Sequence, residues 1–316
     1  MALNRQALDN FYAERKPYLE EIIGMTFKER DMKFPQFLNM KSATGGWIDM
    51  ATVSGFGLWG VKAELEDAPE DDVVQGPVAR ATVVTYAQRH LVAQEAIEDD
   101  QGDGIIANRL PAMMRAGRAT QEVLGHDLLN SGFATITTPD GLYLFSDSHV
   151  NLVGTTFDNL LAAADISQAG LETAILALEN MTNDRNIPIM QTAAKIVIHP
   201  NSKWATQVIL GSAQKVGITT TTSGAGDTAG VALATGYNDI NPMYSQGLTT
   251  IESPYITDTN SWFVFASQHD LNWWTRVAPE NWSEVDYVKS GVQIGARFRA
   301  AAAAFDARGV VGSAGS

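Results

Sequence analysis

The stretch Asp140-Gly-Leu-Tyr-Leu-Phe-Ser-Asp-Ser-His-Val-Asn151 stands between a long segment with helical periodicity and a region in which helix and strand patterns alternate. Its Asp-Gly pair is typical of a tight turn, and the apolar run from Leu142 to Phe145 predicts a short strand. The polar residues that follow predict a loop. The organisation of the chain therefore changes at this stretch.

The segment before this stretch has the strongest helical periodicity in the chain. Asn108 is a candidate N-cap, Pro111 then falls in the first turn, and Gly132 is a candidate C-terminal stop. A helix over residues 108–129 would be roughly 33 Å long at about 1.5 Å per residue, which is long enough for a strut. Its apolar positions recur at spacings of three, four or seven, and they are Leu110, Met113, Gly117, Leu124 and Leu128.

The first helix and strand patterns after Asn151 have clear boundaries. Asp165 or Ser167 can cap a helix whose apolar face carries Leu171, Ile175 and Leu178. Further along, the apolar run within residues 195–199 predicts a buried strand.

Pro200 ends that strand. Asn201 or Ser202 can cap a following helix, whose apolar residues are Trp204, Val208 and Ile209. Near the end of the chain, Trp262 to Ala266 predicts a second buried strand. Strict alternation over residues 292–300 predicts a half-buried one. The pattern favours an α+β fold.

The N-terminal residues have no clear core of their own. Residues 1–24 can form an amphipathic helix, which Pro17 would kink or break. Residues 34–59 mix large aromatic side chains with glycines and follow neither the helix nor the strand period. Their apolar side chains need cover. Either a neighbouring subunit or the chain's own main lobe can provide it.

An acidic segment with one basic residue, Lys62, follows over residues 62–76. Residues 78–92 are then rich in β-branched side chains and alternate loosely, which predicts a strand. We expect two strands joined by a charged, exposed tip. The acidic residues of the tip are Glu64, Glu66, Asp67, Glu70, Asp71 and Asp72.

The composition excludes several classes of protein. The 316 residues include 36 acidic and 22 basic side chains, and the formal charge is -14. Such a chain lacks the cationic surface with which nucleic-acid readers neutralise phosphates. Cysteine is absent, so disulfides and thiolate metal sites are excluded. Neither a signal peptide nor an apolar run of about 18 residues is present, so we expect cytosolic synthesis and no membrane span.

Asp147-Ser148-His149 contains the three residue types of a serine-hydrolase triad. A working triad brings together side chains from distant segments, whereas these three are adjacent along one loop. No Gly-x-Ser-x-Gly elbow surrounds Ser148. We therefore favour a loop in which His149 and Asn151 hydrogen-bond the backbone.

The metal-binding residue types also lack the spacing that a metal site requires. Asp99, Asp100 and Asp103 miss the alternating ligands and the terminal Glu of a calcium loop. Their charges suit the positive end of the helix that follows. No histidine forms a close pair with an acidic residue at zinc spacing. The five histidines are His90, His126, His149, His199 and His269.

Two further segments suggest ligand binding, and each has a simpler interpretation. The Gly- and Thr-rich residues 217–230 lack the Gly-Lys-Ser/Thr of a phosphate-binding loop, so they predict a flexible loop. Trp273-Trp274 followed by Arg276 has the residue types for base stacking, but buried packing between domains is the interpretation we favour. We predict no catalytic, cofactor-binding or metal-binding residues, and no enzyme activity.

Several of these segments occur in an order that resembles one family. The sequence is similar to major capsid proteins of tailed phages with the Hong Kong 97-like fold, in the branch that includes the Mu-type head subunit. The resemblance covers roughly residues 95–310. The matching segments are Ile97 to Asp100, Asp140 to Asn151, Lys195 to Pro200, Asn241 to Tyr244, Glu252 to Tyr255, Trp262 to Ala266 and Tyr287 to Val310.

The resemblance implies a domain organisation. The expected parts are an N-terminal arm, an extended β-hairpin loop, a peripheral domain built on the long spine helix and an axial α/β domain. The arm and the extended loop would lie over neighbouring subunits, and the axial domain would gather around five- and six-fold axes. The corresponding ranges are 1–50, 51–94, 95–151 and 152–275, with residues 276–316 returning to the peripheral domain.

The resemblance also implies a function. The chain would self-assemble into pentamers and hexamers of an icosahedral shell that encloses double-stranded DNA without reading its sequence. The expected partners are other copies of the chain and three accessory proteins, namely a scaffold, a maturation protease and a portal. We expect assembly in the host cytoplasm, a place in the virion capsid, and no cofactor. The alternatives are an encapsulin-type nanocompartment shell and, further away, a serine hydrolase.

Overall fold

The computed structural model describes residues 31–93, 105–213, 240–286, 289 and 291–316. They form two compact units, each assembled from separate segments of the chain. Unit 1 contains the residues up to Val53, together with Gln75–Leu144 and Asp270–Asp306. Unit 2 contains Ser54–Val74, Phe145–His269 and Ala307–Ser316.

Strands and helices alternate irregularly along the chain, as expected for an α+β protein. The strands are β1 (Asn39–Ser42), β2 (Trp47–Val53), β3 (Gln75–Thr82), β4 (Val84–Ala93), β5 (His149–Val150), β6 (Thr156–Phe157), β7 (Ala193–Ile198), β8 (Thr249–Glu252), β9 (Trp262–Ala266), β10 (Leu271–Asp286), β11 (Gly291–Ala304) and β12 (Val310–Ser313). The helices are α1 (Ile105–Asn130), α2 (Gln168–Glu179) and α3 (Lys203–Gly211), with 3-10 helices at Phe34–Gln36, Pro200–Ser202 and Pro242–Gln246.

The main sheet of unit 1 has the strand order β1-β10-β11-β4. Strand β1 runs parallel to β10, and the other neighbours are antiparallel. The β10–β11 register shifts around Val277 and Glu280, on either side of Pro279. Proline has no N–H to donate to a strand ladder, so it interrupts the pairing there. Strands β2 and β3 form a separate antiparallel pair.

The predicted strand over residues 78–92 is divided in two in the structure. Strand β3 pairs with β2, whereas β4 pairs with β11. The break falls at Val83, which is buried and donates its N–H to the Gly46 carbonyl at 3.0 Å. The predicted pair of strands is therefore present, and the second strand ends earlier than the β-branched pattern indicated.

Helix α1 is the predicted long helix, but it begins three residues earlier than expected. Asn108 therefore lies inside the helix and is not its N-cap, and Pro111 lies beyond the first turn. The proline leaves the carbonyl four residues before it without a helical donor. At the other end the helix stops at Asn130, two residues before Gly132. Met113 and Leu128 of the predicted stripe are buried.

Unit 2 is built on a second sheet, with the strand order β12-β9-β7-β8. The two predicted buried strands are confirmed as β7 and β9, and every residue of β9 is buried. Helix α2 is capped by Ser167, whose side chain accepts a hydrogen bond from the Gly170 N–H at 3.1 Å. Its predicted face, Leu171, Ile175 and Leu178, packs in the core with Trp262 and Val264.

Helix α3 corrects one prediction about burial. Trp204 and Val208 were expected on the apolar face, but their side chains are 70% and 65% exposed. Only Ile209 and its neighbour Leu210 pack against the core of unit 2. Ser202 occupies the N-cap position without forming a side-chain cap. A short helix presents only one face to the core. In α3 that face carries Ile209 and Leu210, so Trp204 lies on the exposed side.

Several predictions lie outside the described residues. These are the N-terminal helix over residues 1–24, the acidic residues Glu95 to Asp103 and the loop 217–230. No helix in the part of the chain that the structure describes is long and apolar enough to span a membrane.

Candidate subunit interaction surface

The aromatic and glycine-rich segment 34–59 separates into a buried part and an exposed part. Phe34 and Phe37 are fully buried in unit 1, with ring centroids 4.5 Å from Trp273 and 4.9 Å from His126, respectively. The chain's own body therefore covers these two side chains. Trp47 and Phe56 are more than half exposed, and Trp59 is 98% exposed. Nothing among the described residues buries these three side chains.

The most exposed apolar side chains lie in the 21-residue connection between β2 and β3, residues 54–74, which we call the tip loop. Its ends are joined by two hydrogen bonds between Ser54 and Val74, of 2.9 and 3.0 Å. Between them the apolar side chains face solvent, where each forfeits the free energy of burial. These side chains are Phe56, Leu58, Trp59, Val61 and Leu65.

Leu65 is exceptional within the tip loop. Its backbone is left-handed, with φ of 67°, and its side chain is 99% exposed. In an isolated subunit both features are unfavourable for leucine. The left-handed conformation is strained for a residue with a β-carbon, and the exposed side chain forfeits the free energy of burial. Such strain points to a functional position, and a contact with another molecule would satisfy the side chain.

The tip loop is strongly acidic, as the sequence predicted. Asp71 organises it, because its Oδ2 accepts a hydrogen bond from the Gly57 N–H at 2.6 Å. That hydrogen bond lowers the pKa of the Asp71 carboxyl, partial desolvation opposes the shift, and the nearby Arg185 adds to the lowering. The charges keep an otherwise apolar surface soluble and repel the same loop on another copy.

The β2–β3 pair of unit 1 also exposes a large aromatic side chain, Trp47. Arg80 donates two hydrogen bonds to the Asp49 carboxylate, at 2.6 and 2.7 Å, in a bidentate ion pair. Its guanidinium lies 5.5 Å from the Trp47 ring centroid. The hydrogen bonds from Arg80 lower the pKa of Asp49. On the opposite face of the pair, Ile48 and Met50 pack against a small core. Trp47 is therefore held in place on the solvent side.

The stretch from Asp140 to Asn151 contains the boundary between the units, which falls between Leu144 and Phe145. Asp140 forms the predicted turn, since its side chain accepts hydrogen bonds from the Thr138 hydroxyl and the Leu142 N–H at 2.5 and 3.2 Å. Phe145 is buried and packs 5.3 Å from Phe263 of unit 2.

The three triad-type residues do not share one environment. Asp147 and Ser148 are exposed, whereas His149 is fully buried and stacks on Phe157 at 5.0 Å. Asn151 is also buried, and its oxygen accepts a hydrogen bond from Arg308 at 2.5 Å. Arg308 pairs with Asp184 at 2.6 Å. This arrangement supports a packing role for the motif and gives no support to the serine-hydrolase alternative.

The Trp273-Trp274 pair packs within unit 1, so the prediction of packing between domains is wrong. Trp273 and Trp274 are buried, and their ring contacts are with Phe34 and Phe305 of the same unit, so they are not displayed for base stacking. Within the described ranges no group of three potential metal ligands occurs. Two polar residues with long-range contacts were not identified from the sequence: Glu122, which binds the backbone at Phe34, and Arg185, which contacts the tip loop. The backbone groups that they bind, at Phe34 and Asp72, lie 88 and 113 residues away, so no local pattern predicts those contacts.

Solved structures similar to this chain include phage capsids. The chain aligns with the capsid of cyanophage P-SCSP1u at a TM-score of 0.57 and 11% identity, over 90% of this chain and 88% of that one. For Microbacterium phage Oxtober96 the TM-score is 0.52 and the identity 11%, over 90% and 91% of the chains. The virus-like particle from Pyrococcus furiosus gives 0.51 and 11%, over 94% and 98%.

These similarities show that the fold is the Hong Kong 97-like capsid fold. No curated protein sequence matches the chain significantly. A family model described as "Phage capsid protein" matches residues 77–313, well over half of the 316 residues. The chain therefore belongs to the phage capsid protein family.

Proposed function

We propose that the chain is the major capsid protein of a tailed bacteriophage of the Mu-type branch. It assembles into pentamers and hexamers of an icosahedral shell that encloses the double-stranded DNA genome, and it catalyses no reaction. Family membership and fold support this function. The observation in the structure that carries it is the tip loop, whose exposed apolar side chains, from Phe56 to Leu65, need a partner surface.

The proposed division of labour follows the expected domain organisation. The tip loop and the β2–β3 pair form the extended hairpin of residues 51–94, and α1 is the spine helix of the peripheral domain, residues 95–151. Residues 152–275 are the axial domain, and residues 276–316 return to the peripheral domain. The arm, residues 1–50, has an inner end that packs in unit 1, because β1 pairs with β10 there. Within the arm, the residues before Asp31 and the exposed Trp47 are therefore proposed to contact other subunits.

The proposed partners are other copies of the chain, a scaffold protein, a maturation protease and a portal, with assembly in the host cytoplasm. The formal charge of -14 fits a shell that encloses DNA without binding it tightly.

Assembly of the purified chain tests the proposal. Size exclusion with light scattering, followed by negative-stain imaging, should show capsomer rings or closed shells. Deleting residues 1–30 should leave both units folded and weaken particle formation. A wild-type chain that stays monomeric at every concentration and in crowding agents would exclude a shell function.

The encapsulin-type nanocompartment remains the second candidate, since the virus-like particle from Pyrococcus furiosus aligns over 94% of this chain. The content of native particles separates the two candidates. Recovery of genome-length DNA supports the phage head, whereas a protein cargo without DNA supports the nanocompartment.

A further inference from the structure

In the described part of the chain, the side chain of Arg185 contacts the tip loop from outside it. The Arg185 Nη2 lies 3.4 Å from Asp71 Oδ1 and also donates a hydrogen bond to the Asp72 carbonyl oxygen. Both partners belong to the end of the tip loop that leads into β3. The Arg185 side chain is 20% exposed, whereas that of Asp71 is 43% exposed, so the arginine is the fixed member of the pair.

Arg185 is fixed because its own turn is rigidly built. Residues 182–188 form a tight turn, closed by the bridge between Thr182 and Pro188. Asn183 Oδ1 accepts hydrogen bonds from the N–H groups of Arg185 and Ile187, each at 2.9 Å. The next residue, Asp184, forms the buried ion pair with Arg308. The guanidinium is therefore presented from a preformed scaffold.

The tip loop, by contrast, has little else to fix it. It contains no helix or strand. Its apolar side chains from Phe56 to Leu65 are 62–99% exposed, so they make few packing contacts. Asp71 links two parts of the loop, because its second oxygen accepts the Gly57 N–H. Holding Asp71 therefore also holds the segment that leads to Phe56 and Trp59.

We propose that Arg185 is a latch that holds the tip loop against its own subunit before assembly and directs its apolar side chains outward. The role of the latch in assembly rests on the proposed function, whereas the contact itself is made within a single chain. A partly exposed ion pair is a weak contact, so a second copy can displace it. The loop can then change its angle as it packs on that copy.

Proteolysis of the full-length chain tests the latch directly. Lys62 is the single basic residue of the tip loop, so trypsin reports opening of the loop by cleavage after it. In the unassembled fraction from size exclusion, Arg185→Ala should be cleaved at Lys62 about two- to fivefold faster than wild type, the range that one such ion pair supports. Hydrogen exchange at the Gly57 amide should accelerate similarly.

Two further variants sharpen the result. Asp71→Asn keeps an oxygen for the Gly57 N–H but removes the charge, so it should also open the loop without affecting the turn at 182–188. Arg80→Ala removes another exposed arginine ion pair, with Asp49, and should leave cleavage at Lys62 unchanged. Equal cleavage and exchange rates in wild type, Arg185→Ala and Asp71→Asn would overturn the latch.

The outcome for the latch is separable from that for the shell. If wild type forms no large assemblies while Arg185→Ala opens the loop, the latch stands and the proposed function fails. If shells form equally well and the loop rates do not change, the shell stands and the latch fails.

Discussion

Gly125 of helix α1 lies directly against Phe34, so that a β-carbon at position 125 would come 2.5 Å from the β-carbon of Phe34 and 2.7 Å from its Cγ. Phe34 cannot easily move away, because Glu122, one helical turn before Gly125, accepts hydrogen bonds from the N–H groups of Lys33 and Phe34 at 2.5 and 3.2 Å. The start of the described chain is therefore fastened to the long helix at two adjacent turns.

Gly125→Ala should destabilise unit 1. The added methyl group overpacks a buried contact at a cost of about 1–3 kcal/mol, which exceeds the gain of roughly 0.5–1 kcal/mol from replacing a helical glycine. Denaturant unfolding of the unassembled chain measures the difference. Gly211→Ala is the control, since its nearest neighbour would be 3.9 Å away. Equal stability of the two variants would refute the tight contact.

His126 should make the fold sensitive to acid. Burial lowers the pKa of His126 to about 4, and its hydrogen bond to the Glu122 carbonyl opposes the shift only in part. An unfolded histidine has a pKa of about 6.5, so the unfolded chain alone gains this proton as the pH falls from about 6.5 towards 4. The stabilisation is complete above that window, and about 3 kcal/mol is lost across it.

His126→Gln tests this sensitivity, because the amide cannot titrate and is close to the imidazole in size. Unfolding free energies at pH 7.5 and 4.5 should differ less in this variant than in wild type. His199→Gln, at a half-buried position, serves as the control. An unchanged pH dependence in His126→Gln would mean that other groups cause the acid sensitivity.

Asp184→Asn should destabilise unit 2 strongly. The substitution removes the partner of Arg308 from a site where both side chains are 10% exposed, and a buried charge is left uncompensated. Loss of one member of such a pair costs about 3 kcal/mol or more. The exposed Ser148→Ala provides the control, expected within about 0.5 kcal/mol of wild type. Thermal unfolding of wild type, Asp184→Asn and Ser148→Ala measures the difference. Equal stability of wild type and Asp184→Asn would contradict a stabilising role for the ion pair.

Trp59→Ser should leave the isolated subunit intact and impair assembly. The indole is 98% exposed, so it contributes little to folding, and the change in unfolding free energy should stay within about 0.5 kcal/mol. Particle yield, measured by sedimentation, should fall. Trp59→Phe keeps an apolar ring and should assemble normally. Normal particles from Trp59→Ser would exclude this side chain from the contact.

The elements that could be predicted are those in which one local rule dominates. The buried strands β7 and β9, the Ser167 cap and the apolar stripe of α1 follow from short sequence patterns. The resemblance of the ordered motifs led to the correct family, because those motifs surround the turn at Asp140 and the strands of unit 2.

The predictions that failed depended on long-range contacts. Residues 78–92 look like one strand, and only pairing with β2 on one side and β11 on the other divides them at Val83. Trp204 is large and apolar, as core residues often are, but it lies on the face of α3 that is exposed to solvent. Arg185 and Glu122 carry no local signature at all, since each acts on a segment distant in the sequence.

The strand order has a consequence for biosynthesis. The two inner strands of the sheet in unit 1 are β10 and β11, which come from residues 271–304. The edge strand β12 of the sheet in unit 2 comes later still. A nascent chain on the ribosome cannot complete either sheet until translation has passed these residues. Association of incomplete polypeptides is thereby discouraged, because neither sheet is complete before these strands have been synthesised.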